Sequence, residues 1–247
     1  KPMTKIKSFI SLGLLMFAIV VSPSIAANDN IVVGAEQPEK YLPLLKGKRV
    51  GLIVNQTAVA NGQHLVDLLQ QNDIRVTALF APEHGIRGGH DAGAWVKNSV
   101  DVKSGVPIIS LYGKSKRPTS MMLANVDVLV FDIQDVGVRF YTYMNTMFYA
   151  MQAAQALNKP FIILDRPNPH IQTIDGPMLD ADFRAFVGLV QIPMSHGMTV
   201  GELAKMMLGE HWLETIEPEP GSISKTVNSP SIAKANKLQL TVVPVKN

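Results

Sequence analysis

Several absences bound this 247-residue chain before any motif is read. It has no cysteine, which excludes a disulfide scaffold, a lipid-modified cysteine and a cysteine-ligated metal. No HExxH string or other metal-ligand pattern replaces it, and no GxGxxG follows the first apolar run, where the residues are Gly51-Leu52-Ile53-Val54-Asn55-Gln56-Thr57-Ala58. No metal or other cofactor is therefore expected, and a cytoplasmic nucleotide-binding enzyme is disfavoured. Acidic residues are missing from the first 26 positions, which hold Lys1, Lys5 and Lys7. The net charge of +3 therefore lies there, and the remaining residues carry 20 bases and 20 acids. A neutral body gives no electrostatic case for nucleic acid.

A membrane-length apolar run is missing too. The longest uncharged stretch near the start, Phe9 to Val21, is 13 residues. At about 1.5 Å per residue it falls short of a hydrocarbon core of roughly 30 Å. Basic residues precede it and Ser22-Pro23-Ser24-Ile25-Ala26 follows, with small residues at the −3 and −1 positions of a cut after Ala26. This is the pattern of a secretory signal peptide over residues 1–26, with Met3 as the natural start. The expectation is export to the periplasm or the exterior, with no stable membrane anchor after cleavage.

What remains is a packed globular body, since 47% of residues are hydrophobic and only 17% charged. Short β-branched runs alternate with helical patterns. Strands are predicted over Arg49–Val54, Arg75–Phe80, Pro107–Leu111, Val126–Ile133 and Pro160–Leu164, and helices over His64–Gln71, Thr119–Ala124 and Thr142–Leu157. VDVLVFDI and PFIILD are apolar nearly throughout, as strands covered on both faces are. The fold class is therefore α/β, a doubly wound, Rossmann-like, mostly parallel sheet. Thr199 and Glu202 have capping-box spacing before another helix. After Trp212 the pattern weakens through Glu217–Ser222 and revives as a strand at Leu238–Val245. The expected organisation is an α/β domain over 31–213, then a linker and the start of an incomplete second domain over 214–247.

In such sheets ligands bind beyond the carboxyl ends of the strands. Those ends read Asn55-Gln56-Thr57, Pro82-Glu83-His84-Gly85-Ile86-Arg87-Gly88, Tyr112-Gly113-Lys114, Asp132-Ile133-Gln134-Asp135-Val136-Gly137 and Asp165-Arg166-Pro167-Asn168-Pro169. The concentration of hydrogen-bonding groups suits a polar, hydroxyl-rich substrate. Glu83 directly follows an apolar strand, and a carboxyl half withdrawn from water holds its proton tightly enough for general-acid work. Equally, it could cap its turn or pair with Arg87. Asp135 and Asp165 are candidate second carboxyls, because glycoside hydrolysis commonly uses two. Either could instead orient Arg139 or Arg166. His84, His90 and Asp91 lie close together without a ligand pattern. His196 faces the cleft or serves as a structural histidine, and Phe140, Tyr141 and Tyr143 form either core or a platform for a sugar face.

These strings resemble the NamZ-type exo-β-N-acetylmuramidases, glycoside hydrolase family 171. The matching segments are VGLIVNQTAV from Val50, LFAPEHGIRG from Leu79, DAG from Asp91, VPIISLYGKSKRPT from Val106 and VDVLVFDIQDVGVRFYTYMNTM from Val126. They continue as FIILDRPNP from Phe161, DGPMLD from Asp175, FVGL from Phe186 and PMSHGMTVGELA from Pro193. The resemblance implies removal of non-reducing terminal N-acetylmuramic acid from peptidoglycan fragments, with muramyl saccharides or muropeptides as partners. It assigns the catalytic role to Glu83, with Asp135 as the candidate second carboxyl. It places Asn55, His84, Arg87, Arg139, Tyr141, Asp165, Arg166, Asn168 and His196 in the substrate cleft. Arg166 or Arg139 is the expected reader of the lactyl carboxylate that distinguishes muramic acid. The chain departs from the family pattern at Ala94, at His170-Ile171-Gln172-Thr173, and in stopping where the family continues into a second domain. A muropeptide-binding protein without catalysis is the alternative function.

Overall fold

The computed structural model describes residues 30–88, 98–113, 115–216 and 237–246. Residues 1–26, predicted as a signal peptide, His90, Asp91, Ala94, Lys114 and the predicted loop over Glu217–Ser222 lie outside the described residues. From Ile31 onward the chain forms one unit. In chain order it runs α1 (Pro38–Leu45), β1 (Val50–Val54), a small hairpin of β2 (Val59–Ala60) and β3 (Gln63–His64), α2 (Leu65–Gln71), β4 (Val76–Ala81), β5 (Ser99–Val100) and β6 (Pro107–Ser110). Then follow β7 (Val128–Asp132), α3 (Tyr143–Ala156), β8 (Phe161–Leu164), β9 (Ile174–Asp175), β10 (Ser195–His196), α4 (Val200–Gly209), α5 (Trp212–Thr215) and β11 (Leu240–Val243).

The main sheet has the order β11-β8-β7-β1-β4-β6-β5. Every pairing is parallel except β5 with β6. The chain moves outward from β1 through β4 to β6, returns to β7 on the other side of β1, and moves outward again. This is the doubly wound order, and its switch point lies between β1 and β7. Alternation along each strand explains the two cores: Leu52, Leu79 and Val130 pack on one face with α1 and α2, while Ile53, Phe80 and Phe131 pack on the other with α3 and α4. β1 and β7 are buried at every position, as their unbroken apolar runs require.

Three differences from expectation have physical causes. Leu240–Val243 pairs in parallel with β8 and joins this sheet at its edge, with Val243 buried in the first core. Its partner strand is remote in sequence, so its alternation gave no sign of which sheet it joins. Thr119–Ala124 is only a turn, held by Leu123 N–H on Thr119 O at 3.1 Å, because so short a segment with Met121 left exposed has little packing to offset helix nucleation. α1 was hidden by its two prolines. Pro38 occupies a tolerated first-turn position, and burial of Tyr41 and Leu45 offsets the hydrogen bond lost at Pro43.

Candidate active site

The carboxyl ends of β1, β4 and β7 meet at the switch point, and each contributes through a tightly fixed loop. Beyond β1, Asn55 Oδ1 accepts from Thr57 N at 2.9 Å and Thr57 Oγ1 at 2.6 Å, an Asx-type turn. Thr57 Oγ1 also accepts from Gln134 N at 2.9 Å, which stitches the β1 loop to the β7 loop. Asn55 itself is fully buried. Its Nδ2 lies close enough to the Tyr143 hydroxyl to favour the phenolate, yet stops short of hydrogen-bond geometry and meets no other partner.

Beyond β4 the chain turns at Pro82-Glu83-His84-Gly85, closed by Gly85 N–H on Pro82 O at 3.2 Å. His84 has φ of 69° and Gly85 has φ of 75°. A left-handed histidine costs on the order of 1 kcal/mol, and such strain gathers at functional sites. The turn leaves Glu83 half-buried beside a ring of hydroxyls. Thr142 Oγ1 donates to Glu83 Oε2 at 3.3 Å, and Tyr143 OH donates to the Glu83 carbonyl at 3.4 Å. Burial together with the neighbouring Glu83 carboxylate raises the Tyr112 phenol. Tyr143, desolvated at the start of α3, is pushed up to about 12. Tyr141 crosses the Tyr143 ring edge-on, with centroids 4.8 Å apart, and feels both Glu83 and Asp135.

Beyond β7, Asp135 is 5% exposed, and its Oδ1 accepts from Gly137 N at 2.7 Å. Burial pushes this carboxyl up to about 6, against the pull of the Gly137 and Val136 amides. His196, 3% exposed, brings Nε2 to 3.9 Å from Asp135 Oδ1, and its own burial lowers it. Glu83 is thus joined to Thr142 and Tyr143, while Asp135 and His196 approach each other in the buried interior of the neighbouring loop. His84 contributes the turn that aims Glu83.

The remaining predicted ligands make internal contacts. Arg87 turns away from Glu83 to Asp101, with contacts of 2.8 and 2.7 Å, and to Asp67 at 3.2 Å. That excludes the Arg87–Glu83 pair. Arg166 forks onto the fully buried Asp132 at 2.5 and 3.0 Å, and also donates to Val59 O at 3.1 Å. Arg139 donates to the carbonyls of Pro177 and Ile192. Arg166 thus commits its Nε and Nη2 edge to Asp132, whereas both Arg139 bonds leave from Nη1. Asp165 accepts from Gly201 N at 2.8 Å, Thr199 Oγ1 at 2.7 Å and Arg166 N at 3.0 Å, and so caps the N-terminus of α4. Asn168 ties the Met198 carbonyl at 2.9 Å to the His170 amide at 2.7 Å. Sequence reading passes over Thr142 and Tyr112 as neighbours of Glu83. Tyr112 appears there only as a strand end, and Thr142 only within the hydroxyl-rich run around Tyr141. Among the described residues no three His, Asp or Glu side chains converge as a metal group, and no helix is long and apolar enough to cross a membrane.

With this geometry in hand, known proteins can be compared. The family model described as exo-beta-N-acetylmuramidase NamZ, N-terminal, matches residues 50–247. The peptidoglycan beta-N-acetylmuramidase NamZ of Bacillus subtilis (strain 168) is 50% identical over 207 residues, covering 78% of this chain and 50% of that protein. Two crystal structures of DUF1343 family proteins from Bacteroides fragilis NCTC 9343, each 40% identical, superpose with TM-scores of 0.72 and 0.70. They cover 88% and 87% of this chain and 52% and 50% of their own. The chain thus spans about half the length of the relatives it matches. The motifs, the sheet and the family match agree, and the chain belongs to the NamZ exo-β-N-acetylmuramidase family, of which it carries the N-terminal part.

Proposed function

We propose that this chain is the catalytic-side part of a glycosidase that removes non-reducing terminal N-acetylmuramic acid from peptidoglycan fragments, with Glu83 as the acid or base. The observation that carries this reading is the placement of Glu83. It stands half-buried at the switch-point crevice on a turn strained at His84, with Thr142 Oγ1 on its carboxylate. Protonation of the glycosidic oxygen by such a carboxyl lets the leaving sugar depart as an alcohol while positive charge develops on the ring. Water then adds at the anomeric carbon and returns a proton to the protein. The Tyr141 and Tyr143 rings and the Asn55 amide supply an amphipathic wall of the kind that holds a sugar face and its hydroxyls.

Export belongs to the same proposal. Residues 1–26 would carry the chain across a membrane to the compartment where peptidoglycan fragments form, and cell-wall turnover is the setting in which such fragments are consumed. The test is Glu83→Gln, which keeps the hydrogen-bonding shape and removes the proton chemistry. Turnover of a chromogenic N-acetylmuramide should fall about 10²- to 10⁴-fold with KM nearly unchanged. Unaltered turnover would remove Glu83 from the chemistry, while binding without turnover by the unmodified chain would favour a muropeptide-binding protein.

A further inference from the structure

The loop between β7 and α3 is fastened to the segment from β9 to β10. Val138 bridges Ser195, Arg139 N donates to Met194 O at 2.8 Å, and His196 N donates to Gly137 O at 3.3 Å. Asp135 and His196 face each other across this seam. The Met198 amide points at His196 Nδ1 at 3.4 Å, so Nδ1 is the acceptor and the ring proton resides on Nε2. The imidazole therefore offers no lone pair to a substrate and points a donor at Asp135. Asp135 Oδ2 and His196 Nε2 are both buried without a hydrogen-bond partner. Two unmet groups of opposite sense are costly apart; Nε2 lies 3.9 Å from the other carboxylate oxygen, Oδ1, and rotations of the two side chains would bring it onto the carboxylate.

We propose that Asp135 and His196 form a clasp, His196 Nε2–H donating to the Asp135 carboxylate, that positions Tyr141 and Thr142 against Glu83. Both are then positioning residues, because their polar atoms are closed off from the cleft. The lever is short: Tyr141 lies six residues from Asp135, and Thr142 holds the Glu83 carboxylate. Besides His196 on the far side of the seam, the titratable group bearing on Asp135 is the Tyr141 phenol of its own loop. Only the effect on turnover rests on the muramidase reading; the clasp does not.

The test compares the whole chain with His196→Gln and His196→Asn. Gln places an amide nitrogen near the position of Nε2 and keeps the donor. Asn places its polar atoms near Nδ1 and keeps only the Met198 contact. The titration of the Asp135 carboxyl, followed by carbon NMR, should have the same midpoint in the original chain and the Gln variant. In the Asn variant it should rise by about one unit or more. Equal midpoints in all three proteins would overturn the clasp, as would nitrogen NMR of the unmodified chain showing His196 protonated on Nδ1. On a chromogenic muramide, kcat should drop about tenfold for Asn with KM unchanged and recover for Gln. If the unmodified chain releases no sugar, the muramidase reading fails, and the titration still judges the clasp.

Discussion

At the residue scale, the site separates buried polar side chains whose hydrogen bonds are all made from those that keep an atom unmet. Asp132 and Arg166 show the first kind. Their fork is buried on both sides, so removing one partner strands the other: Arg166→Met should cost about 3–5 kcal/mol. Urea denaturation measures it, and Asp132→Leu with Arg166→Met should recover most of the loss. Asp135 shows the second kind. Its folded value of about 6 lies above the ordinary aspartate value near 4, so the native state holds the proton more tightly than the unfolded chain. The resulting penalty is absent below about pH 4, grows as pH rises to about 6, and is complete above that. Asp135→Asn should therefore be more stable than the original chain at pH 7.5, by on the order of 2 kcal/mol, with the gain gone at pH 4. Denaturation midpoints at the two pH values check this, and a gain present at pH 4 would contradict it. Glu83 was singled out by its strand-end position together with the PEHGIRG string, since position alone does not separate it from Asp132 or Asp165. The division of duties was not legible, because Arg87, Arg166 and Asp165 sit at equally good strand ends. Only three-dimensional pairing reveals that Asp101, Asp132 and the amides of α4 already occupy them.

At the element scale, two features carry more than their length suggests. Gly137 has φ of 78°, and a Cβ there would fall 2.1 Å from Asn168 Oδ1. Gly137→Ala should displace Asn168, free the His170 and Met198 backbone groups it holds, and loosen the seam carrying Asp135. A melting temperature lowered by several degrees, with turnover lost in parallel, is the expected result. β11 is the other feature. It covers the edge of β8, buries Val243, and is followed by Lys246, whose N–H and C=O both bond Val32 at 3.0 Å. Ending the chain at Lys237 should expose that edge and turn cooperative unfolding into aggregation, read by light scattering during a thermal scan. The five strands predicted before it emerge within about two residues of their expected ends, because buried parallel strands announce themselves by apolar runs. β9, β10 and α1 were not legible: two-residue strands have no periodicity, and Pro43 masks the helix.

At the scale of the whole molecule, the doubly wound sheet explains why one end of the sheet collects residues as far apart in sequence as Asn55, Glu83, Asp135 and His196. Reversal of winding between β1 and β7 leaves their carboxyl ends uncovered, and the seam to β10 brings His196 alongside. Charge plays little part, since bases and acids balance after residue 26 and recognition falls to hydrogen bonds and rings. The chain matches about half the length of its relatives, so its own competence as a glycosidase is the central claim. The most direct measurement incubates it with peptidoglycan fragments ending in either N-acetylmuramic acid or N-acetylglucosamine and identifies the released sugar by mass spectrometry. Release of N-acetylmuramic acid alone, abolished by Glu83→Gln, is the predicted result; release of N-acetylglucosamine, or release that survives Glu83→Gln, would contradict the account.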